Sequence, residues 1–166
     1  MKRIITAFVS AAALMASPAL ASSPSFTPAN AVINLTGRLD VKQSVALSCD
    51  ADFTIQFNGT TSASLTNADL SGGFLWLCGS VGFPNLPRPV EIVQPVSPAV
   101  GKATQLKIVG LTVSTIAGSC TGDVYVDWDD ANQIASFNNA TFGSPVCSID
   151  GDLEGDNPAA SAELVP

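Results

Sequence analysis

The sequence predicts an all-β protein: a single antiparallel β-sandwich or barrel-like domain with an internal duplication and two disulfides. Three observations lead to this fold class. Apolar and polar residues alternate over short runs, no stretch after residue 21 repeats apolar residues at the helical period, and one cysteine-containing segment occurs twice. Several short strands separated by turn residues are typical of antiparallel sandwiches and barrels.

The first 21 residues have the three parts of a secretory signal peptide. Lys2 and Arg3 are followed by an apolar run over residues 4–16 and by Ala19-Leu20-Ala21, a typical cleavage site. The apolar run is too short for a membrane-spanning helix. We therefore expect cleavage after residue 21 and a secreted protein, extracellular or periplasmic, that has no transmembrane anchor.

The rest of the chain divides into five segments. The first and the last contain too little apolar surface to order themselves, so we expect an extended lead and a loose tail. The two duplicated halves are each too small for an independent core and should share one core in a single β domain. The proline-rich crossing between them contains one short edge strand around residues 90–93. The segments are the lead (22–30), the first half (about 31–83), the crossing (84–103), the second half (about 104–158) and the tail (159–166). The β domain comprises residues 31–158.

The duplication defines the predicted strands and core. Ser48–Phe57 and Ser119–Trp128 share a Ser-Cys pair, an aspartate three residues after the cysteine, and alternating apolar residues; residues 63–70 likewise match 135–142. Asn58-Gly59 predicts a hairpin turn after the first of these strands. Equivalent alternating positions in both copies should face the core. The predicted core residues are Phe53, Ile55, Phe57, Leu65, Leu70, Val124, Val126, Trp128, Phe137 and Phe142.

The four cysteines form one pair in each copy. In an exported protein an even cysteine count is typical of disulfides, although four cysteines allow three connectivities. The duplication favours Cys49 with Cys78 and Cys120 with Cys147, and the alternative joins equivalent positions, Cys49 with Cys120 and Cys78 with Cys147. A zinc site is disfavoured because the sequence has no Cys-x2-Cys pair and no histidine.

The composition argues against catalysis and against nucleic acid as a partner. Without histidine, no Ser-His-Asp or Cys-His arrangement can form, and carboxylates such as Asp50 and Asp52 read as the solvent-facing positions of a strand. Residues 150–156 resemble half of a calcium loop but lack its final glutamate. Removal of the signal peptide leaves five cationic and fourteen acidic residues, a net charge of −9. We therefore predict no enzymatic activity, no cofactor, no metal and no nucleic acid.

The sequence Phe74-Leu75-Trp76-Leu77 is an uninterrupted apolar run. One interpretation is a strand that is buried on both faces, since successive strand residues point to opposite sides of a sheet. The other is an apolar patch that is open to a hydrocarbon or another apolar ligand. On the second interpretation, these four residues are the candidate apolar contact.

The sequence contains several short phrases that are specific to more than a β pattern: Leu35-Thr36-Gly37, Gly118-Ser119-Cys120 with Val124–Trp128, Ser136–Phe142 and Cys147–Gly151. Together these phrases resemble the bacterial "protein activator of alkane oxidation" family. The resemblance implies a small secreted protein, without catalytic residues, that promotes growth on long-chain alkanes by dispersing or carrying hydrocarbon. A structural or adhesive β subunit of the cell surface or biofilm matrix, with self-association, is the alternative that the duplication favours.

Overall fold

The computed structural model describes residues 23–93 and 100–165. The predicted signal peptide and part of the proline-rich crossing therefore lie outside the described residues. The described chain folds mainly into β-strands, with one 3₁₀ helix at Phe74–Ser80. The strands are β1 (Ser23–Thr27), β2 (Val32–Lys42), β3 (Ala46–Phe57), β4 (Ala63–Ser71), β5 (Arg88–Ile92), β6 (Gly101–Lys102), β7 (Gln105–Thr115), β8 (Gly118–Asp129), β9 (Ile134–Phe142), β10 (Cys147–Gly155) and β11 (Ser161–Val165).

Eight of these strands form a closed antiparallel barrel. The order around the ring is β10-β2-β3-β4-β5-β7-β8-β9, so each barrel strand pairs with the next barrel strand along the chain and β10 closes on β2. The predicted all-β class is confirmed, and of the two predicted architectures the structure has the barrel and not the sandwich. The edge strand expected around residues 90–93 is instead β5, which pairs with β4 on one side and β7 on the other. Closure gives it the second partner that an open sheet would lack.

The two copies of the duplicated segment face each other across the barrel. The first copy supplies β3 and β4, the second supplies β8 and β9, and each equivalent pair lies four positions apart in the ring of eight. Side chains from both halves belong to one hydrophobic core cluster. The prediction that the halves share a core is confirmed, and the duplication gives the barrel an approximate two-fold arrangement.

The barrel interior is filled by side chains. All ten predicted core residues are buried. Phe53 makes edge-to-face contacts with Phe83 and Phe137, at ring-centroid distances of 5.4 and 6.3 Å. A cavity among the core side chains has a volume of about 10 Å³, roughly the volume needed for one water molecule. An eight-stranded barrel is wide enough either to be filled by its own side chains or to hold one small ligand. This barrel is filled, so any ligand contact must lie on its outside or at its ends.

A small sheet covers one end of the barrel, which we call the plugged end. Its order is β1-β11-β6, and it buries Phe26, Ala162 and Leu164. The Phe26 ring packs 5.0 Å from the ring of Phe57 in the barrel. The expectation that the lead and tail lack order is therefore wrong for β1 and β11. Neither segment has enough apolar surface by itself, but each supplies the other with backbone partners and the barrel end supplies the apolar surface.

The turn predicted at Asn58-Gly59 is longer than expected. β3 and β4 are joined by the five residues 58–62, closed by a 2.8 Å hydrogen bond from the Asn58 N–H to the Ser62 carbonyl. The Thr60 carbonyl accepts the N–H of Phe26 at 2.8 Å. The wider loop thus reaches β1, a tertiary contact that a two-residue turn would not make.

Candidate apolar contact site

Four loops meet at the barrel end opposite the plugged end. Because successive strands run in opposite directions, the loops after β2, β4, β7 and β9 all lie at this end. None of their residues, 43–45, 72–87, 116–117 and 143–146, is charged. They carry six of the nine exposed large apolar side chains in the described part of the chain. We call this surface the apolar end. Its six exposed apolar residues are Val45, Phe74, Leu75, Trp76, Ile116 and Val146.

The predicted contact residues lie in the 3₁₀ helix and not in a strand. Phe74, Leu75 and Trp76 are 78%, 71% and 83% exposed, and Leu77 is partly buried. The interpretation of a strand buried on both faces is therefore wrong. The run is exposed because β4 ends at residue 71. The apolar run therefore lies beyond the hydrogen-bonded strands of the barrel, and no second layer covers it. The second copy has only residues 143–146 at the equivalent place.

The backbone of this segment is held in an unusual conformation. Leu75 and Trp76 have φ values of 52° and 60°, in the left-handed region that side chains other than glycine rarely adopt. Gly73 also has a positive φ, and a Cβ at this position would lie 2.4 Å from the Cys78 Sγ. Glycine is therefore required at residue 73, where the backbone passes the Cys78 sulfur. The backbone conformation of the following residues directs the side chains of Leu75 and Trp76 outward. Such conformations persist only where the surrounding structure fixes them, and they concentrate at functional sites.

Both disulfides hold loops of the apolar end. Cys49 of β3 is bonded to Cys78 of the 3₁₀ helix, and Cys120 of β8 is bonded to Cys147 at the start of β10. The connectivity favoured by the duplication is confirmed. Cys78 directly follows the exposed apolar run, and Cys147 directly follows Val146. Each crosslink is worth about 3–4 kcal/mol in the chain-entropy model, so the loops that carry the apolar residues are anchored to the barrel wall.

An apolar groove runs between two of these loops. The loop after β2 and the loop after β7 belong to opposite sides of the ring, and they meet over the barrel mouth. There the Thr115 hydroxyl donates a 2.5 Å hydrogen bond to Oε1 of Gln43. The groove between the loops has a volume of about 250 Å³. We call it the mouth groove; it is lined by Val41, Gln43, Ser44, Val45, Leu47, Leu77, Thr115, Ile116 and Ala117.

The barrel wall beside the apolar end is acidic. Asp50 and Asp52 of β3 and Asp150 and Asp152 of β10 are all exposed on the outer face, so they point away from the core. Asp150 also has a structural contact, because it accepts the Asn139 N–H at 2.8 Å. Within residues 23–93 and 100–165, no group of three or more His, Cys, Asp and Glu side chains lies close enough to hold a metal ion.

The charged contacts of the plugged end join β6 and β11 to the barrel. Lys102 of β6 pairs with Asp130 at 3.1 Å and with Glu163 of β11 at 2.5 Å. Asp130 also accepts hydrogen bonds from the Ala162 N–H at 3.0 Å and from the Trp128 indole at 3.2 Å. Burial alone would raise the pKa of Asp130, but these donors together outweigh it and hold the pKa below its ordinary value. This end is thus fixed by polar contacts, in contrast to the apolar end.

Sequence reasoning identified the run 74–77 but missed three other members of the apolar end. Val45, Ile116 and Val146 are single apolar residues in short turns, and such residues are common on protein surfaces. Their shared location depends on the strand order, because only an unbroken up-and-down ring places these turns at one end. The available signal was that these turns carry an apolar residue and no charge.

A family model described as "Alkane oxidation protein activator PraA/PraB-like" matches residues 1–163. Comparison with curated proteins and with solved structures gave no match. In the described part of the chain, no helix has the length and apolar character needed to cross a membrane.

Proposed function

The chain belongs to the PraA/PraB-like alkane oxidation protein activator family, and from this premise we propose that it is a secreted, non-enzymatic accessory protein. It promotes the use of long-chain alkanes by contacting hydrocarbon through its apolar end. The observation that carries the proposal is the concentration of six exposed apolar side chains on four uncharged loops at one end of the barrel. A concentration of exposed apolar side chains of this kind favours an interaction site.

The energetics favour an end-on contact with hydrocarbon. Full burial of a large apolar side chain is worth about 1.5–3 kcal/mol, so six such side chains together contribute on the order of 10 kcal/mol before the cost of association. No charged group in the four loops has to leave water, and desolvation of a charge would oppose adsorption. The acidic barrel wall stays in water when the protein binds by this end.

The same orientation suits dispersal of hydrocarbon. After the predicted cleavage the protein carries a net charge of −9, so a droplet coated with it would be strongly negative. Like-charged droplets repel one another, and this repulsion opposes coalescence. Surface adsorption and droplet stabilisation therefore follow from two separate parts of the molecule, the apolar end and the charged wall.

The alternative function, a structural or adhesive β subunit that assembles by strand pairing, has less support. Among the described strands, the eight of the barrel have neighbours on both sides, and closure removes the edges through which sheets associate. The small sheet ends on β6, which has two residues, and on β1, which contains Pro24 and whose Phe26 N–H is bonded to the Thr60 carbonyl. Short or proline-containing edges disfavour pairing with another chain.

Three valines provide a matched test at the hexadecane–water interface. Val45, Val146 and Val100 are 64%, 62% and 65% exposed and lie outside the strands, but only Val100 is at the plugged end. We expect Val45→Asp and Val146→Asp each to raise the protein concentration needed to lower interfacial tension by at least about tenfold. Val100→Asp should behave like the unmodified protein. Equal tension curves for all three variants would refute contact through the apolar end.

A further inference from the structure

We infer that the mouth groove is a binding site for one linear alkane molecule. The inference rests on the proposed function, since it names the ligand that the apolar end would take up from a hydrocarbon surface. It goes further because adsorption to an interface requires only exposed apolar side chains, whereas a groove binds single molecules. The protein would then carry alkane as well as disperse it.

The volume of the groove fits a length of alkyl chain. The groove volume of about 250 Å³ is many times the space that one water molecule needs, so the groove accommodates a length of alkyl chain. The filled barrel beneath it, with about 10 Å³ of free space, stops the chain from entering further. A longer alkane must leave its remaining carbons outside the groove.

The lining favours an apolar, uncharged chain. Six of its nine residues are apolar and none is charged. Of the polar three, Thr115 and Gln43 are bonded to each other, so neither the donor of Thr115 nor Oε1 of Gln43 requires a partner from the ligand. A ligand with a charged group would lose its water contacts and meet no opposite charge in the lining.

The groove has a rigid floor and lies beside the exposed apolar run. Val41 of β2 and Leu47 of β3 form a register pair of the barrel, which fixes the floor. Leu77 forms part of the wall, and the neighbouring Cys78 is bonded to Cys49. Because Leu77 follows directly after Trp76, the groove adjoins the side chains that would touch a hydrocarbon surface. A chain can pass from that surface into the groove without crossing charged residues.

Methyl NMR in equilibrium with n-octane vapour tests the inference in the absence of an oil surface. For the unmodified protein we expect saturable shift changes confined to the groove methyls of Val41, Val45, Leu47, Leu77 and Ile116. Ala117→Phe, which fills the groove without adding charge, should weaken these changes by about tenfold or more. Val100→Asp should retain them, because Val100 is at the plugged end.

The two proposals fail in different ways. If octane vapour shifts no groove methyl, or if Ala117→Phe binds as well as the unmodified protein, the groove inference is wrong while the valine test of interfacial tension still decides the proposed function. Octanoate is the comparison ligand. Lys42 lies between the groove residues Val41 and Gln43 in the sequence. If octanoate binds the groove more tightly than octane and Lys42→Gln abolishes the difference, the groove takes a fatty acid and linear alkane is the wrong occupant.

Discussion

Replacement of Trp76 by glycine should change folding stability and hydrocarbon adsorption in opposite directions. Trp76 is 83% exposed, so its removal takes almost nothing from the core. Its φ of 60° lies in the left-handed region, where a side chain costs about 1–2 kcal/mol and glycine fits without strain. Removal of this strain stabilises the folded state, but the greater conformational freedom of glycine in the unfolded chain offsets about 0.5–1 kcal/mol of that stabilisation. We therefore expect an unchanged or slightly higher free energy of unfolding.

Adsorption should weaken by a larger amount. A tryptophan side chain buries about 150–250 Å², and at about 25 cal/mol per Å² its contact with hydrocarbon is worth up to about 4–6 kcal/mol. Incomplete burial of the Trp76 ring in hydrocarbon reduces this contact free energy. We therefore expect at least a tenfold rise in the protein concentration needed to lower hexadecane–water tension. Urea unfolding and pendant-drop tensiometry on the same samples measure the two effects. A variant that is clearly less stable, or one that adsorbs as well as the unmodified protein, would refute the reasoning.

Three further predictions follow from the core, the plugged end and the acidic wall. Trp128→Ala should lower the free energy of unfolding in urea by about 3–5 kcal/mol, because Trp128 is buried; a loss below about 1 kcal/mol would contradict its place in the core. Asp130→Asn should be less stable than the unmodified protein at neutral pH by on the order of 1 kcal/mol. Since the pKa of Asp130 is lowered on folding, its contribution is present above the ordinary value of 3.8 and is lost as pH falls below it; a melting-temperature difference that persists undiminished well below that pH would argue against this role. Changing Asp150, Asp152 and Glu154 together to Asn, Asn and Gln should leave hexadecane tension unchanged, and calcium should not raise the melting temperature of the unmodified protein; a calcium-dependent rise that this triple change removes would overturn the prediction.

The sequence predicted those features that depend on local pattern or on the duplication. Alternation placed residues such as Phe53 and Val124 in the core because strand side chains point to alternate faces. The duplication identified the disulfide partners, since each copy contains one complete pair. Alternation is visible within a single strand, and the duplication is visible when residues 48–78 are compared with residues 119–147. Both signals describe the structure correctly.

The features that were missed depend on contacts between distant parts of the chain. β1 and β11 pair near the two ends of the described chain, as Ser23 does with Val165, and neither segment shows by itself that it has a partner. The composition of the run 74–77 leaves two interpretations open, a strand buried on both faces and an open apolar patch. The exposure of the run follows from the end of β4 at residue 71 and from a loop that is longer than its counterpart in the second copy, which composition does not reveal.

Tryptophan fluorescence tests the central claim most directly, because the chain contains only two tryptophans. Trp76 lies exposed at the apolar end, and Trp128 is buried and bonded to Asp130 near the plugged end. Droplets of a brominated hexadecane should shift part of the emission to shorter wavelength and quench it. In the Trp76→Phe variant, the remaining emission of Trp128 should be neither shifted nor quenched. Droplets that leave the emission of the unmodified protein unchanged, or that quench the variant equally, would contradict contact through the apolar end.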